Sequence, residues 1–233
     1  MESAEIKRFL VARRIIRNFE TVEGTLEVLK GVDLVADQGD MVAVVGASGV
    51  GKSTLLHILG GLDRATSGDV EFKGQNINNM TEKELALFRN AHIGFVFQHH
   101  YLLDDFTARE NVMIPALVAG KSRDEAALRA EQLLTDVGLQ DRQNHLPRQL
   151  SGGELQRTAV ARALVNDPEL VMADEPSGNL DIATGERLHA LLTDLNRAHG
   201  TSFIIATHNI DLAKSCDKIV KLDRGVVVTA ASE

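Results

Sequence analysis

The sequence predicts an α/β fold with a mostly parallel central sheet, an antiparallel β edge layer and an inserted helical subdomain. The edge layer is indicated by two apolar stretches near the start of the chain, Phe9 to Ile16 and Leu26 to Ala36, the second broken at Gly31. The central sheet is indicated by four short apolar runs that each end in polar residues, as buried parallel strands do. These runs cover residues 42–45, 93–97, 170–173 and 203–206.

Helices between these runs are indicated by a hydroxyl residue followed three positions later by glutamate, the spacing of a capping box. The pattern occurs at Thr81 with Glu84, Ser122 with Glu125 and Ser151 with Glu154. Two amphipathic helices are expected to end at Gly138 and Gly200. Because residues 99–157 contain no convincing parallel strand, we expect a helical subdomain there, within one domain that spans residues 1–233.

Composition narrows the class of protein. Hydrophobic residues make up 44% and charged residues 25% of the 233 residues, which excludes a disordered or fibrous chain. The formal charge of −8 argues against a nucleic-acid partner, because such partners are bound largely by neutralising phosphates. The lone Cys216 cannot form an internal disulfide, so the expected location is the cytoplasm.

No membrane or export segment is expected. The first residues carry acids at Glu2 and Glu5 and lack the apolar core of a signal peptide. Every apolar run is shorter than the roughly 20 residues of a membrane-spanning helix. Any membrane role must therefore come from another protein.

A phosphate-binding loop is predicted directly after the 42–45 strand. It consists of Gly46, Ala47, Ser48, Gly49, Val50, Gly51, Lys52 and Ser53, with Thr54 next in the following helix. Glycines let backbone N–H groups surround a phosphate, Lys52 reaches the β and γ oxygens, and Ser53 can bind Mg²⁺. A glycine-rich turn without a ligand is the alternative. The order of strand, loop and helix favours a P-loop NTPase.

Two adjacent acids, Asp174 and Glu175, follow the 170–173 run. At the carboxyl end of a parallel strand, Asp174 would hold Mg²⁺ and Glu175 would orient and deprotonate the attacking water. Acids that merely cap the turn before Pro176 are the alternative. The phosphate loop favours the catalytic interpretation.

Gln98 and His208 also follow predicted parallel strands, at the edge where such sheets bind ligands. Gln98 could contact Mg²⁺ or the attacking water, and His208 could donate a hydrogen bond to the γ-phosphate. For His208 taken alone, a structural histidine is the better interpretation.

A second phosphate site is indicated by Ser151, Gly152 and Gly153 at the start of a helix. A plain capping box formed by Ser151 and Glu154 is the alternative. Two adjacent glycines are costly there unless a close approach to the backbone is needed, and exposed N–H groups would bind an anion. Since one loop already surrounds the chain's own nucleotide, the second site would serve a partner chain, which predicts a dimer with ATP at the interface.

Together these residues resemble the ABC ATPase family over nearly the whole length of the chain. The matching segments are the Walker A loop Gly46 to Ser53, the Q-loop residue Gln98, the signature Leu150 to Gln156, the Walker B strand Leu170 to Asp174, the catalytic glutamate Glu175, the D-loop Ser177 to Asp181 and the switch histidine His208. The resemblance implies ATP and Mg²⁺ as ligands, a homodimer that sandwiches two ATP molecules, and integral membrane permease subunits as partners. It places the chain on the cytoplasmic face of the inner membrane.

Phe19 lies where the family often has a tyrosine that stacks on adenine. Its ring would keep the stacking face and lose only the hydroxyl group. Packing beneath the edge sheet is an alternative of nearly equal weight, because an aromatic residue at a strand end is commonly part of the core.

Within the family, residues 59–63 and 102–112 most resemble the ATPases that release lipoproteins from the inner membrane, and related macrolide-exporter and cell-division ATPases share much of this pattern. Two residues depart from the pattern: Asp104 replaces the usual proline, and Ser177 replaces the common threonine. The leading interpretation is an ATPase that drives a transport or extraction cycle.

The first alternative is a nucleotide-gated scaffold like that of the cell-division relatives. The second is a soluble ABC protein of translation or DNA repair, which usually has a second cassette or a coiled-coil insertion, and this sequence shows neither.

Overall fold

The structure is a computed structural model that describes residues 8–22 and 24–228. The expectation about Glu2 and Glu5 lies outside these residues. The chain divides into two compact units, one built from the stretches up to Leu85 and from Ala206 onward, the other from Ala86–Ile205. Among the described residues, no helix combines the length and the apolar character needed to cross a bilayer.

The described chain contains both strands and helices, as an α/β fold requires. The strands are β1 (Leu10–Thr21), β2 (Gly24–Ala36), β3 (Met41–Val45), β4 (Ser67–Phe72), β5 (Gln75–Asn76), β6 (Ile93–Val96), β7 (Leu170–Asp174), β8 (Ser202–Thr207), β9 (Lys218–Asp223) and β10 (Val226–Val228). The α-helices are α1 (Lys52–Leu59), α2 (Glu82–His92), α3 (Ala108–Val118), α4 (Arg123–Asp136), α5 (Gly152–Leu164), α6 (Ile182–His199) and α7 (Ile210–Lys214).

The first unit contains an antiparallel layer in the order β2-β1-β4-β5. Strands β1 and β2 lie in the first forty residues, where the sequence predicts an edge layer, whereas β4 and β5 were not predicted. Strand β2 continues through Gly31. Because Val32 pairs with Ile15 and Lys30 pairs with Ile16, Gly31 is the extra residue of a β-bulge, and its φ of 92° suits glycine. The apolar stretch is therefore bulged at Gly31 and not broken there.

The same unit contains β3, which pairs in parallel with β9, and β10, which pairs antiparallel with β9. Strand β3 is almost wholly buried, as its continuous apolar run predicts. Strand β9 alternates between less and more exposed residues, and lysines and an aspartate interrupt its apolar pattern. For this reason its sequence pattern does not predict a strand.

The second unit contains strands β6 and β7, which pair in parallel, with β8 beside β7. Its helices begin where hydroxyl groups or carboxylates cap them. Ser122 and Ser151 form the predicted capping boxes of α4 and α5, and Asp181 caps α6, which ends at Gly200 with a φ of 64°. An additional box, formed by Thr107 and Glu110, starts α3.

The segment from 99 to 157 contains α3, α4 and the start of α5 and no strand, as the sequence predicts. It forms only a part of the second compact unit, which also includes β6, β7 and α6. The separate status of a helical subdomain at 99–157 stays a prediction.

Close contact between β6 and α5 yields the first testable prediction. A Cβ atom at Gly94 would lie 2.4 Å from the carbonyl oxygen of Ala163. We expect Gly94→Ala to lower the free energy of unfolding by about 1–3 kcal/mol, because α5 must move away from the sheet. Chemical denaturation measures this change. Gly185→Ala is the matched control, since its Cβ would meet no described atom closer than 3.5 Å. Equal stability of Gly94→Ala and the parent would contradict the contact.

Candidate functional site

The loop between β3 and α1 has the backbone that a phosphate cradle requires. Gly49 and Gly51 have φ values of 77° and 107°, a conformation that favours glycine. Gly46 has no room for a side chain, because a Cβ there would lie 2.3 Å from the carbonyl oxygen of Leu222. No side chain caps the start of α1. The first amides of this helix thus lack the capping partner that serves α3, α4, α5 and α6.

Lys52 begins helix α1 and is only 7% exposed. Its ammonium group donates hydrogen bonds to the carbonyl oxygens of Gly46 (2.9 Å) and Ala47 (3.2 Å). The lysine therefore holds the loop that precedes it. Ser53 is exposed and Thr54 half-buried. Residues 46–54 thus lie together in the first unit as the sequence predicts.

In the second unit, Asp174 is the last residue of β7 and is half-buried. Its Oδ1 atom is buried, and no described residue forms a hydrogen bond with it. Buried carboxylate oxygens without partners are costly in folded proteins. A hard cation bound by oxygen ligands would satisfy this atom, so Asp174 fits the predicted role in holding Mg²⁺.

Glu175 adopts a left-handed backbone conformation with a φ of 46°. The N–H of Gly178 donates to the carbonyl oxygen of Glu175 at 3.0 Å, which closes a tight turn directly after β7. Non-glycine residues in this conformation are uncommon and cluster at functional sites.

The side chain of Gln98 pairs with Asn179 in the same unit. Gln98 Nε2 donates to Asn179 Oδ1, and Asn179 Nδ2 donates to the backbone oxygen of Gln98, both at 3.1 Å. Gly178 lies against the same amide, since a Cβ there would be 3.0 Å from Gln98 Nε2. The structure thus brings Gln98 to the turn that follows Glu175. Asn179 belongs to the predicted D-loop, but its pairing with Gln98 was not predicted.

The start of α5 combines a capping box with an open surface. Ser151 Oγ accepts from the N–H of Glu154, and the carboxylate of Glu154 accepts from the N–H of Ser151 and from Arg142 Nε, both at 2.8 Å. These bonds hold the pKa of Glu154 at about 2, so it is ionised at neutral pH. The capping-box interpretation is confirmed. Arg142 was not predicted, and no sequence motif marks it.

The two glycines after Ser151 differ in how much space the structure leaves for a side chain. A Cβ at Gly153 would lie 2.5 Å from Thr184 Cγ2, so the contact with α6 requires a glycine there. At Gly152 the nearest atom would be Leu180 Cδ2 at 3.6 Å, which leaves space for a side chain. Both glycines line an open cleft of about 700 Å³ within the second unit, which α5, α6 and residues 179–181 also line. Arg157 and Arg187 line the same cleft together with Glu154 and Asp181, so the cleft carries charges of both signs.

Phe19 lies in β1 and is 37% exposed, so the alternative that it packs in the core is wrong. The guanidinium carbon of Arg17 lies 4.3 Å from the centre of its ring. His208 follows β8 and is exposed. Stacking of Phe19 on adenine and a contact of His208 with the γ-phosphate stay predictions.

The chain is similar to curated proteins that are described as lipoprotein-releasing system ATP-binding proteins. It is 55% identical over 211 residues to the lipoprotein-releasing system ATP-binding protein LolD of Porphyromonas gingivalis, which covers 91% of this chain and 96% of that protein. It is 50% identical to the LolD protein of Syntrophus aciditrophicus, with 94% of this chain and 98% of that protein covered.

Solved structures show the same architecture. The dimeric structure of MJ0796, a bacterial ABC transporter cassette, is 38% identical to this chain, with a TM-score of 0.88 and coverage of 94% and 96%. A post-hydrolysis dimer of that cassette, bound to ADP and Pi, is 37% identical with the same TM-score and coverage. These similarities confirm the predicted α/β fold of a P-loop ATPase.

The family profile described as ABC transporter matches residues 29–178, a range that begins in β2 and includes the phosphate loop, the signature and Glu175. This match and the relatives above show that the chain belongs to the ABC transporter family.

Proposed function

We propose that this chain is the ATP-binding and ATP-hydrolysing subunit of an ABC transporter that releases lipoproteins from the inner membrane. The observation that carries the ATPase assignment is the phosphate loop, whose glycine backbone, buried Lys52 and uncapped helix α1 suit a nucleoside triphosphate. The 55% identity to a lipoprotein-releasing protein supports the transport role over the macrolide-exporter, cell-division and soluble alternatives.

In this proposal, Gly46 to Thr54 bind the phosphates of ATP. The ammonium group of Lys52, which bonds to the loop carbonyls of Gly46 and Ala47, would also contact the β and γ oxygens. Mg²⁺, when bound, neutralises charge that develops on the transferred phosphoryl group. Asp174, Ser53 and Gln98 would hold it, and the partnerless Oδ1 of Asp174 supports this assignment.

Glu175 would accept a proton from the attacking water and Gln98 would help to place that water, while His208 would donate a hydrogen bond to the γ-phosphate. The left-handed backbone of Glu175 supports its role, because such strain persists at functional sites. Phe19 would stack on the adenine with the ring face opposite to Arg17.

The cleft beside Ser151, Gly152 and Gly153 would receive the nucleotide of a second copy of this chain. Its open volume supports this role, and the similar cassette MJ0796 is described as dimeric. Two copies would enclose two ATP molecules, and closure and reopening of this dimer would drive integral membrane permease subunits from the cytoplasmic face of the inner membrane.

The segment after Gln98 would contact those permease subunits. Tyr101 is 64% exposed and its ring lies edge-on to that of Phe97, and Leu103 and Phe106 are also exposed. Leu102 is only 8% exposed and belongs to the core. The side chains of residues 99–106 thus differ in role: Leu102 stabilises the unit, and its exposed neighbours would offer an apolar surface for a helix of the permease.

The mutation Glu175→Gln tests the catalytic role. It keeps the size of the side chain but removes the proton acceptor, so hydrolysis should slow by about 10²–10⁴-fold while Mg-ATP still binds. Because ATP would join two chains, the variant should accumulate as an ATP-dependent dimer. Phosphate release and size-exclusion chromatography with ATP, with ADP and without nucleotide measure both effects.

Two controls accompany this experiment. Glu186→Gln changes an exposed acid of α6 and should leave the rate unchanged, whereas Lys52→Ala should abolish hydrolysis. A parental rate in Glu175→Gln would remove this residue from catalysis. An inactive variant that stays monomeric with ATP would contradict the sandwich.

The mutation Ser151→Arg tests the second phosphate site. The variant should still bind ATP through its own loop but should fail to form the ATP-dependent dimer in the Glu175→Gln background, because charge and bulk block the shared site. Ser122→Arg is the matched control, since it removes the same kind of capping box from α4 at a similar cost of about 1 kcal/mol. Loss of ATP binding in the Ser151→Arg monomer, or dimers with the parental yield, would contradict the shared site.

The mutation Tyr101→Glu tests the permease contact. Because the side chain is exposed, the variant should fold and hydrolyse ATP but should no longer co-purify with permease subunits from membranes. Leu102→Glu should instead lower stability, and Leu128→Glu, at an exposed leucine of α4, should change neither property. Co-purification of Tyr101→Glu at the parental level would exclude this surface.

A further inference from the structure

The turn that carries Glu175 needs support from its surroundings. Glu175 has a φ of 46°, and the following Pro176 is buried. Two backbone hydrogen bonds close the segment, from Gly178 N–H to the oxygen of Glu175 at 3.0 Å and from Leu180 N–H to the oxygen of Ser177 at 3.1 Å. Ser177 therefore lies inside the turn, two residues beyond the proposed base.

Helix α6 reaches this turn through a buried histidine. His189 is 9% exposed, and its Nε2 lies 2.8 Å from Ser177 Oγ. Gly185, one turn earlier on the helix, also lies close to the turn, since a Cβ there would be in ordinary contact with Ser177 Cβ at 3.5 Å. Ser177 is also the D-loop position at which this chain departs from the common threonine of the pattern.

A hydrogen bond between these side chains restrains the turn in a way that backbone bonds alone do not. The two backbone bonds connect residues within the turn only. The bond between His189 and Ser177 ties it to α6, an 18-residue helix that begins at the end of the same segment. A side chain in the turn is thereby fixed relative to a rigid element, which is the support that a catalytic group requires.

We propose that His189 is a positioning residue for ATP hydrolysis: it holds Ser177 and thereby keeps the carboxylate of Glu175 directed at the attacking water. This inference rests on the proposed role of Glu175 as the base. His189 itself contacts neither nucleotide nor water in this mechanism. Its removal should therefore affect the chemical step and leave nucleotide binding unchanged.

The experiment compares four variants of the full chain: His189→Leu, which removes the bond; His189→Gln, whose amide nitrogen can replace Nε2; Ser177→Ala; and the double variant Ser177→Ala with His189→Leu. Single-turnover hydrolysis and ATP affinity are measured for each, with thermal stability as the check on folding. His199→Gln, at an exposed histidine of the same helix, is the matched control.

We expect His189→Leu and Ser177→Ala each to slow hydrolysis about tenfold, the effect of one lost hydrogen bond, with unchanged ATP affinity. His189→Gln should recover most of the rate. The double variant should be no slower than either single variant, because both remove the same bond. The control His199→Gln should keep the parental rate.

Several results would overturn the proposal. Parental hydrolysis in His189→Leu or in Ser177→Ala would show that the bond does not support catalysis. Additive losses in the double variant, or no recovery in His189→Gln, would show that His189 acts by another route. Loss of ATP affinity equal to the loss of rate would indicate a general structural defect. Failure of the proposed function is distinguishable, because Glu175→Gln would then hydrolyse ATP at the parental rate.

Discussion

The close approach of α5 to its neighbours is the constraint on which the second unit depends. At one point Gly94 of β6 meets the backbone of α5 at Ala163, and at another Gly153 of α5 meets Thr184 of α6. Because the helix lies this close, its polar side chains reach the loop after β6. Gln156 donates to the oxygen of Phe97 at 2.9 Å, and Arg162 donates to the backbone oxygens of His100 and Tyr101. The helix that carries the signature thus also fixes the segment that carries Gln98.

The first backbone amides of an α-helix have no acceptor within the helix, and helices α1 and α5 differ in how these amides are capped. Helix α5 has a full capping box, in which Ser151 and Glu154 satisfy amides, and Arg142 keeps that carboxylate in place. Helix α1 begins at a glycine with no capping side chain, and a lysine on its first turn bonds to the preceding loop. A start without a cap is costly unless a ligand supplies the acceptor. This contrast favours the start of α1 over the start of α5 as a place where a phosphate would bind.

Sequence patterns predicted the elements that are determined by residues close to them in the chain. The capping boxes at Ser122 and Ser151, the helix end at Gly200 and the buried run of β3 all follow from neighbouring residues. The missed elements depend on distant partners. Strand β9 has polar residues at Lys218, Lys221 and Asp223, which do not alternate with its apolar residues. It is recognisable only from its parallel pairing with β3, in which Lys218 pairs with Val42, 176 residues earlier. Likewise, the bond from Gln98 to Asn179 joins residues 81 positions apart, which no spacing rule anticipates.

Asp174 is one of several described residues that have a buried polar atom without a hydrogen-bond partner. Among the described residues, the atoms without a hydrogen-bond partner are Arg17 Nε, Asn18 Oδ1, Arg109 Nε, Arg129 Nε, Asn166 Oδ1 and Asp174 Oδ1. Each of the three arginines has another guanidinium nitrogen in an ion pair, and the amide nitrogen of Asn166 is hydrogen-bonded. Asp174 differs because its partnerless atom belongs to a carboxylate at the end of a buried strand. An unpaired buried anion costs more than an unpaired amide or one nitrogen of a paired guanidinium. A protein can keep such a group when a bound cation offsets the cost, so this atom favours the proposed role of Asp174 in holding Mg²⁺.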